Sequence, residues 1–132
     1  MAAQVSDSEK ITINLGFVDL GQVDLLVSEA FYSNRTDFIR TAIRNQLLAH
    51  GDVLKQSVAR RSMVLGLQRY SRQDLENVVA SGEKLQIQVL GLATIDDDVT
   101  PQLARKAIAS IAVLGALRAS PAVKAALADR TR

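Results

Sequence analysis

The chain has 132 residues, enough for one domain or two small ones. Hydrophobic residues make up 48% of it, so we expect a packed core. It has no Cys, which excludes disulfides, zinc–thiolate sites and cysteine nucleophiles. A single His, His50, argues against a histidine metal cluster or a Ser-His-Asp triad. The sequence therefore implies no metal and no cofactor.

The net charge of +2 is too small to indicate a polyanionic partner by itself. Residues 1–62 hold seven basic and seven acidic side chains, so nucleic-acid binding would depend on where the basic groups lie. The longest uncharged apolar run, residues 107–117, is far below the ~20 residues of a membrane span. No basic-then-apolar leader is visible at the start. We expect a soluble, cytoplasmic protein without a membrane partner.

Residues 1–9 are small and polar, and we expect a flexible arm there. The next six residues alternate polar and apolar side chains, the pattern of a strand with one buried face. The apolar set is Ile11, Ile13 and Leu15, and the polar set is Lys10, Thr12 and Asn14. No second strand follows at hairpin distance. A lone strand cannot satisfy its own backbone groups, so the simplest partner is a second copy of the chain.

Two amphipathic helices follow this strand. The first is predicted over about residues 19–32, where apolar residues recur at three- and four-residue steps. The second is predicted over about residues 35–49, with Ser33 or Asn34 as N-cap. Asn34 followed by Asp37 resembles a capping box, and Gly51 is placed to end the helix. Its predicted buried face consists of Phe38, Ile39, Ala42, Ile43 and Leu47.

A strand, a helix, a turn and a capped second helix resemble the ribbon-helix-helix family of DNA-binding proteins, the Arc, MetJ and CopG class. The resemblance covers residues 10–50 and is most specific at residues 32–44, which read Tyr-Ser-Asn-Arg-Thr-Asp-Phe-Ile-Arg-Thr-Ala-Ile-Arg. The chain departs from the family at residues 16–19, where Gly-Phe-Val-Asp replaces a short Pro-containing link. The resemblance implies an intertwined homodimer whose paired antiparallel strands enter the major groove of double-stranded DNA.

Under this resemblance the polar face of the strand carries the base contacts, Lys10, Thr12 and Asn14. Their chemistry agrees, because Lys can donate to guanine, Asn can bond adenine bidentately, and a two-stranded ribbon fits the major groove. The free backbone N–H groups at the start of the second helix form a site for a phosphate. The predicted phosphate contacts are Ser33, Asn34, Arg35 and Thr36. The alternative for the polar face of the strand is an ordinary solvated surface. The alternative for the start of the second helix is a helix start that binds nothing.

After the ribbon-helix-helix domain at residues 10–51 we expect a linker helix at 52–61 and a repeat domain at 62–132. Val-Leu-Gly occurs at 64–66, 89–91 and 113–115, a spacing of 25 and then 24 residues. A helix start follows each copy. These starts are a capping box of Ser71 with Asp74, and the cap–proline pairs Thr100-Pro101 and Ser120-Pro121. Gly82 is placed to end the first of these helices.

The predicted fold class is therefore α+β, with a C-terminal β-α repeat stack similar to a short leucine-rich-repeat solenoid. So short a stack has uncovered ends, and self-association would cover them. The run Asp96-Asp97-Asp98 could in principle hold Mg²⁺ or Ca²⁺, but a solvated turn before the helix at Pro101 accounts for it better.

These features favour a sequence-specific DNA-binding transcriptional regulator, a repressor, that associates with the nucleoid. Residues 62–132 would assemble dimers into tetramers or larger species, or bind a protein partner. One alternative is an antitoxin whose tail neutralises a toxin. Another is a self-assembling structural protein with incidental DNA binding. An enzyme is the least expected class, because no base, nucleophile or metal constellation is visible.

Overall fold

The computed structural model describes residues 8–132, so the predicted arm at residues 1–9 lies mostly outside the described residues. The fold is α+β. The described residues form six α-helices and three strands. In chain order these are α1 (Phe17–Ser28), α2 (Arg35–Ala49), α3 (Gly51–Arg60), β1 (Val64–Tyr70), α4 (Arg72–Ala80), β2 (Leu85–Ile95), α5 (Pro101–Ala107), β3 (Ile108–Arg118) and α6 (Pro121–Ala126). A short 3₁₀ turn follows at Ala128–Arg130. The chain divides into two compact units between Lys55 and Gln56.

The first helix of the N-terminal unit differs from its prediction at both ends. It begins at Phe17, two residues early, because Gly16 is extended and its carbonyl already accepts from the Leu20 N–H. It ends at Ser28 rather than near residue 32, because Ala30 takes a left-handed conformation with φ 66°. A helix cannot continue through that backbone geometry.

The second helix is confirmed at its predicted bounds, with Asn34 as N-cap. The prediction for Gly51 was wrong. α2 ends at Ala49, and Gly51 is the first residue of α3 instead of a left-handed cap. The peptide N–H of His50 closes α2 by donating to carbonyls of its last turn.

The N-terminal unit of a single chain encloses almost no core. Among its described residues only Val23 is buried. The predicted buried face of α2 is not buried: Ile43 is 46% and Leu47 is 53% exposed, and no residue of α2 is fully covered. Two short helices have too little facing surface to cover an apolar stripe on each.

The C-terminal unit contains a three-stranded parallel sheet in the order β1-β2-β3. The Val-Leu-Gly copies lie in register, with Val64 beside Val89 and Val89 beside Val113. The predicted alternation of strand and helix, repeated three times, is therefore confirmed. The likeness to a leucine-rich-repeat solenoid stays a prediction.

The helices α4, α5 and α6 each start at the predicted cap. Ser71 and Asp74 form a reciprocal capping box at α4, and Thr100 and Ser120 accept from the third backbone N–H of α5 and α6. The acidic run at residues 96–98 lies in a turn, where the Val99 N–H donates to the Asp96 carbonyl at 3.1 Å. Local sequence therefore positions these helices.

The core of the C-terminal unit lies between one face of the sheet and the layer of α4, α5 and α6. Ile87, Val89, Ile95 and Ile111 point into it from the strands. The helices contribute Leu75, Ala104, Ala107 and Val123. No helix within residues 8–132 combines the length and the hydropathy that crossing a bilayer requires.

Candidate nucleic-acid interface

The predicted reading strand lies in a stretch of the chain without regular secondary structure, residues 8–16. Lys10, Thr12 and Asn14 are exposed there. Their apolar neighbours are exposed as well, at 73% for Ile11 and 59% for Ile13. No strand within residues 8–132 pairs with residues 10–15, and the C-terminal sheet forms without them. A strand at residues 10–15 is therefore not formed within one chain.

The predicted phosphate contacts come together at the start of α2. The Asn34 side-chain oxygen accepts from the Asp37 N–H at 2.8 Å, and the Asp37 carboxylate accepts from the Ser33 N–H at 3.0 Å. The carboxylate thus reaches one residue further back than in a reciprocal box, where it would accept from the cap residue itself. The backbone donors of Arg35 and Thr36 have no acceptor within the described chain.

This end of α2 has two opposing electrostatic contributions. The aligned peptide groups attract an anion, and Arg35, the first residue of α2, adds a positive charge. The Asp37 carboxylate is close by, already occupies the Ser33 donor and repels a phosphate. The arrangement can hold one phosphate oxygen on the donors of Arg35 and Thr36, with Ser33 unavailable in this state.

Arg35 is held by an acidic side chain of α1. Its Nε and Nη2 donate to the two carboxylate oxygens of Asp24 at 2.7 and 2.8 Å. The hydrogen bonds from Arg35 lower the pKa of Asp24, and those to Asp24 raise the pKa of Arg35. Both side chains are about half exposed, so the pair is open to competition by another anion.

Asp24 is the residue at this site that the sequence did not indicate. It lies on the exposed side of the predicted first helix, eleven residues before Arg35, and no periodicity links the two positions. The turn between the helices also packs Tyr32 edge-on against Phe38, with ring centroids 5.0 Å apart. Phe17 and Phe31 are 91% and 71% exposed, because one chain has no surface to cover them.

One family of known proteins matches both units of the chain. The model of the Ribbon-Helix-Helix transcriptional regulator family matches residues 6–124, which are 119 of the 132 residues. The match therefore extends beyond the resemblance at residues 10–50 into the sheet and helices of the C-terminal unit. No curated protein and no solved structure gave a significant match. The chain belongs to the Ribbon-Helix-Helix transcriptional regulator family.

Proposed function

We propose that this regulator acts as a homodimeric, sequence-specific repressor. Residues 10–15 of two chains pair as an antiparallel ribbon, and the ribbon reads bases in the major groove. Occupying an operator is enough to exclude other proteins from it, so repression needs no further activity of the chain. The C-terminal β-α stack, similar to a short leucine-rich-repeat solenoid, assembles such dimers.

The observation that carries the proposal is the uncovered apolar side of the N-terminal unit. Ile11, Ile13 and Leu15 are 73%, 59% and 41% exposed and alternate with three polar residues. Burying such side chains is worth about 1.5–3 kcal/mol each, so a single chain leaves a large stabilisation unused. Pairing with a second copy would bury this side and satisfy the backbone groups of the strand at the same time.

The same pairing turns the polar side outward. Lys10, Thr12 and Asn14 from both chains would then lie on one surface of a two-stranded ribbon, and the start of each α2 would face the flanking phosphates. Arg35 is bound by Asp24 in an ion pair that is about half exposed, so a phosphate can compete with Asp24 for it. The folded second unit supports a regulator over an antitoxin with a disordered tail, because residues 56–132 already enclose a core.

The test is competition binding after selection of bound sites from random DNA. Lys10→Ala, Thr12→Ala and Asn14→Ala should each relax the base preference and cost about 1–3 kcal/mol for each good base contact. Gln22→Ala, a polar change on the exposed side of α1, is the matched control and should leave the preference unchanged. Binding of the wild-type chain should also weaken steeply as salt is raised, because phosphate contacts release counterions. If all three strand variants keep the wild-type preference, the ribbon does not read the bases.

A further inference from the structure

Basic side chains precede every strand of the C-terminal unit. Arg61 lies three residues before β1, Lys84 directly before β2, and Arg105 and Lys106 close before β3. Because the three strands are parallel, they all begin at the same edge of the sheet. The last residues of the chain return to the end of α5 and add two more arginines there. We call this the start edge, and its basic residues are Arg61, Lys84, Arg105, Lys106, Arg130 and Arg132.

Two of these six residues are used inside the fold. Arg105 donates to the Asp129 carboxylate at 3.0 Å and to the Ala126 carbonyl. Arg130 donates to the carbonyls of Arg105 and Ile108 at 2.5 and 2.7 Å. These bonds fasten the C-terminal turn to the end of α5 and satisfy carbonyl groups that a helix end leaves free. Both arginines therefore have a structural role.

The other four basic residues of the start edge are exposed, and none of them forms an ion pair within residues 8–132. Arg61 and Arg132 line one cleft of this unit. Lys84 and Lys106 line a second cleft, together with Arg105 and the acidic residue Glu83. Positive charge exceeds negative charge in both clefts, so the start edge attracts anions.

The opposite edge of the sheet, where the strands end, has the other sign of charge. Residues 96–98, three aspartates, follow β2, and the second and third of them are exposed. The arginines nearby are engaged, since Arg69 pairs with Asp96 at 2.6 Å and Arg72 pairs with Glu76 at 2.9 Å. A polyanion is therefore attracted to the start edge and repelled from the opposite edge.

The polyanion that a DNA-binding regulator meets is DNA itself. Neighbouring strands lie about 4.8 Å apart, so basic groups distributed over three strands span roughly 10 Å. One DNA strand carries a phosphate about every 3.4 Å along the helix axis, so the start edge can face about three phosphates. Lys and Arg side chains bind phosphates without reading the bases.

We propose that the start edge of the C-terminal unit binds DNA phosphates and forms a second, sequence-independent contact with the DNA. The inference rests on the DNA binding of the proposed function, and it does not depend on how the ribbon reads bases. The chain connects the two contacts, so a second contact that is weak by itself still adds to the affinity.

The experiment measures the affinity of the full chain for a selected duplex and a random duplex over a range of salt concentrations. Lys84→Gln/Lys106→Gln should weaken binding to both duplexes about 10-fold or more at roughly 0.1 M salt. The slope of log affinity against log salt should become shallower by about two, one for each lost phosphate contact. Base preference should stay as in the wild type, since these contacts read no bases.

The matched control is Arg69→Gln/Arg72→Gln, which removes the same two positive charges at the opposite edge. These side chains are 74% and 57% exposed, and thermal melts verify that each variant is folded. The control should keep the wild-type salt slope. Glu83→Gln removes the acidic residue of the second cleft and should tighten binding to both duplexes, by about two- to fivefold.

An unchanged salt slope in Lys84→Gln/Lys106→Gln would overturn the inference. So would an equal loss of slope in the control, because the effect would then belong to net charge and not to the start edge. Failure of the ribbon gives a different result. Lys10→Ala, Thr12→Ala and Asn14→Ala would then keep the wild-type base preference, while the double lysine variant would still show the shallower slope.

Discussion

Three glycines lie side by side across the sheet, and the space around Gly66 differs from the space around Gly91. Gly66, Gly91 and Gly115 share one row and have φ of 125°, 141° and 117°, a backbone region that side chains strongly disfavour. A Cβ on Gly91 would overlap the carbonyl oxygen of Gly66, whereas a Cβ on Gly66 would meet nothing within 4 Å. The backbone conformation therefore requires glycine at the third position of each Val-Leu-Gly copy in all three strands. In β2 and β3 the close approach of the neighbouring strand requires it as well.

Gly91→Ala and Gly66→Ala should separate these two requirements. We expect Gly66→Ala to cost about 1–3 kcal/mol of unfolding free energy, from backbone strain alone. Gly91→Ala should cost at least about 4 kcal/mol, because the neighbouring strand must also move. Urea unfolding followed by circular dichroism measures both. Equal losses would show that the contact with Gly66 does not constrain the sheet.

The ion pair of Arg35 with Asp24 leads to a prediction about DNA affinity. Asp24→Asn removes the competing carboxylate and leaves Arg35 for a phosphate, so binding to all sequences should tighten about equally. Arg35→Gln should weaken binding to all sequences about equally, with base preference unchanged. Titration of specific and random duplexes at fixed salt measures both effects. If Asp24→Asn weakens binding as Arg35→Gln does, the pair serves to hold the helices together.

At the scale of single elements, residues 10–15 before α1 alternate polar and apolar side chains, and we propose different roles for the two sets. The apolar set is uncovered in one chain, and the polar set carries the proposed base contacts. No strand within residues 8–132 pairs with residues 10–15, and the proposed ribbon therefore needs a second chain. Neighbouring residues on opposite faces can therefore be changed independently.

Ile13→Asp and Thr12→Asp place the same charge one residue apart. Ile13→Asp should cost about 3 kcal/mol per chain in dimer stability, because a buried apolar side chain is lost and a carboxylate takes its place. Thr12→Asp should keep the dimer and abolish DNA binding by repelling phosphates and bases. Sedimentation and a DNA titration on each variant distinguish the two roles. A stable dimer of the Ile13→Asp chain would refute a ribbon with its apolar side buried.

For the whole molecule, acid should destabilise the fold through carboxylates that accept hydrogen bonds. Hydrogen bonds from Arg69 lower the pKa of Asp96, those from Ser71 lower the pKa of Asp74, and those from Arg105 lower the pKa of Asp129. A carboxyl with a lowered pKa in the folded state stabilises the fold fully above its ordinary pKa. That contribution is lost as the pH falls through the folded value.

These three groups should therefore change the melting temperature little between pH 7 and about pH 5. At pH values under about 4, near the ordinary aspartate pKa of 3.8, the melting temperature should fall. Asp96→Asn removes one of the three groups and should make the fall with acid smaller while lowering the melting temperature at pH 7. Thermal melts followed by circular dichroism across this range test both statements. An equal fall with acid in the variant would exclude Asp96 as a contributor.

Local sequence determined the parts of this protein that depend on a few neighbouring residues. The cap at Asn34, the capping box of Ser71 with Asp74 and the two cap–proline pairs could be predicted, because each is complete within four residues. The three Val-Leu-Gly copies predicted repeated strands for a similar reason. Helix ends were less predictable, since the left-handed backbone at Ala30 carries no glycine signal.

Only the tertiary structure decided which distant residues meet and which faces stay uncovered. The pair of Arg35 with Asp24 joins two helices whose separation follows from packing, so no spacing in the sequence predicts it. The Val-Leu-Gly spacing indicates that Gly66 and Gly91 are neighbours, but the overlap that a Cβ on Gly91 would meet depends on the backbone geometry. The same holds for the exposed leucines of the sheet, Leu65, Leu67 and Leu114. Their exposure depends on which side of the sheet the helices cover, and a residue's own neighbours in sequence do not determine that side.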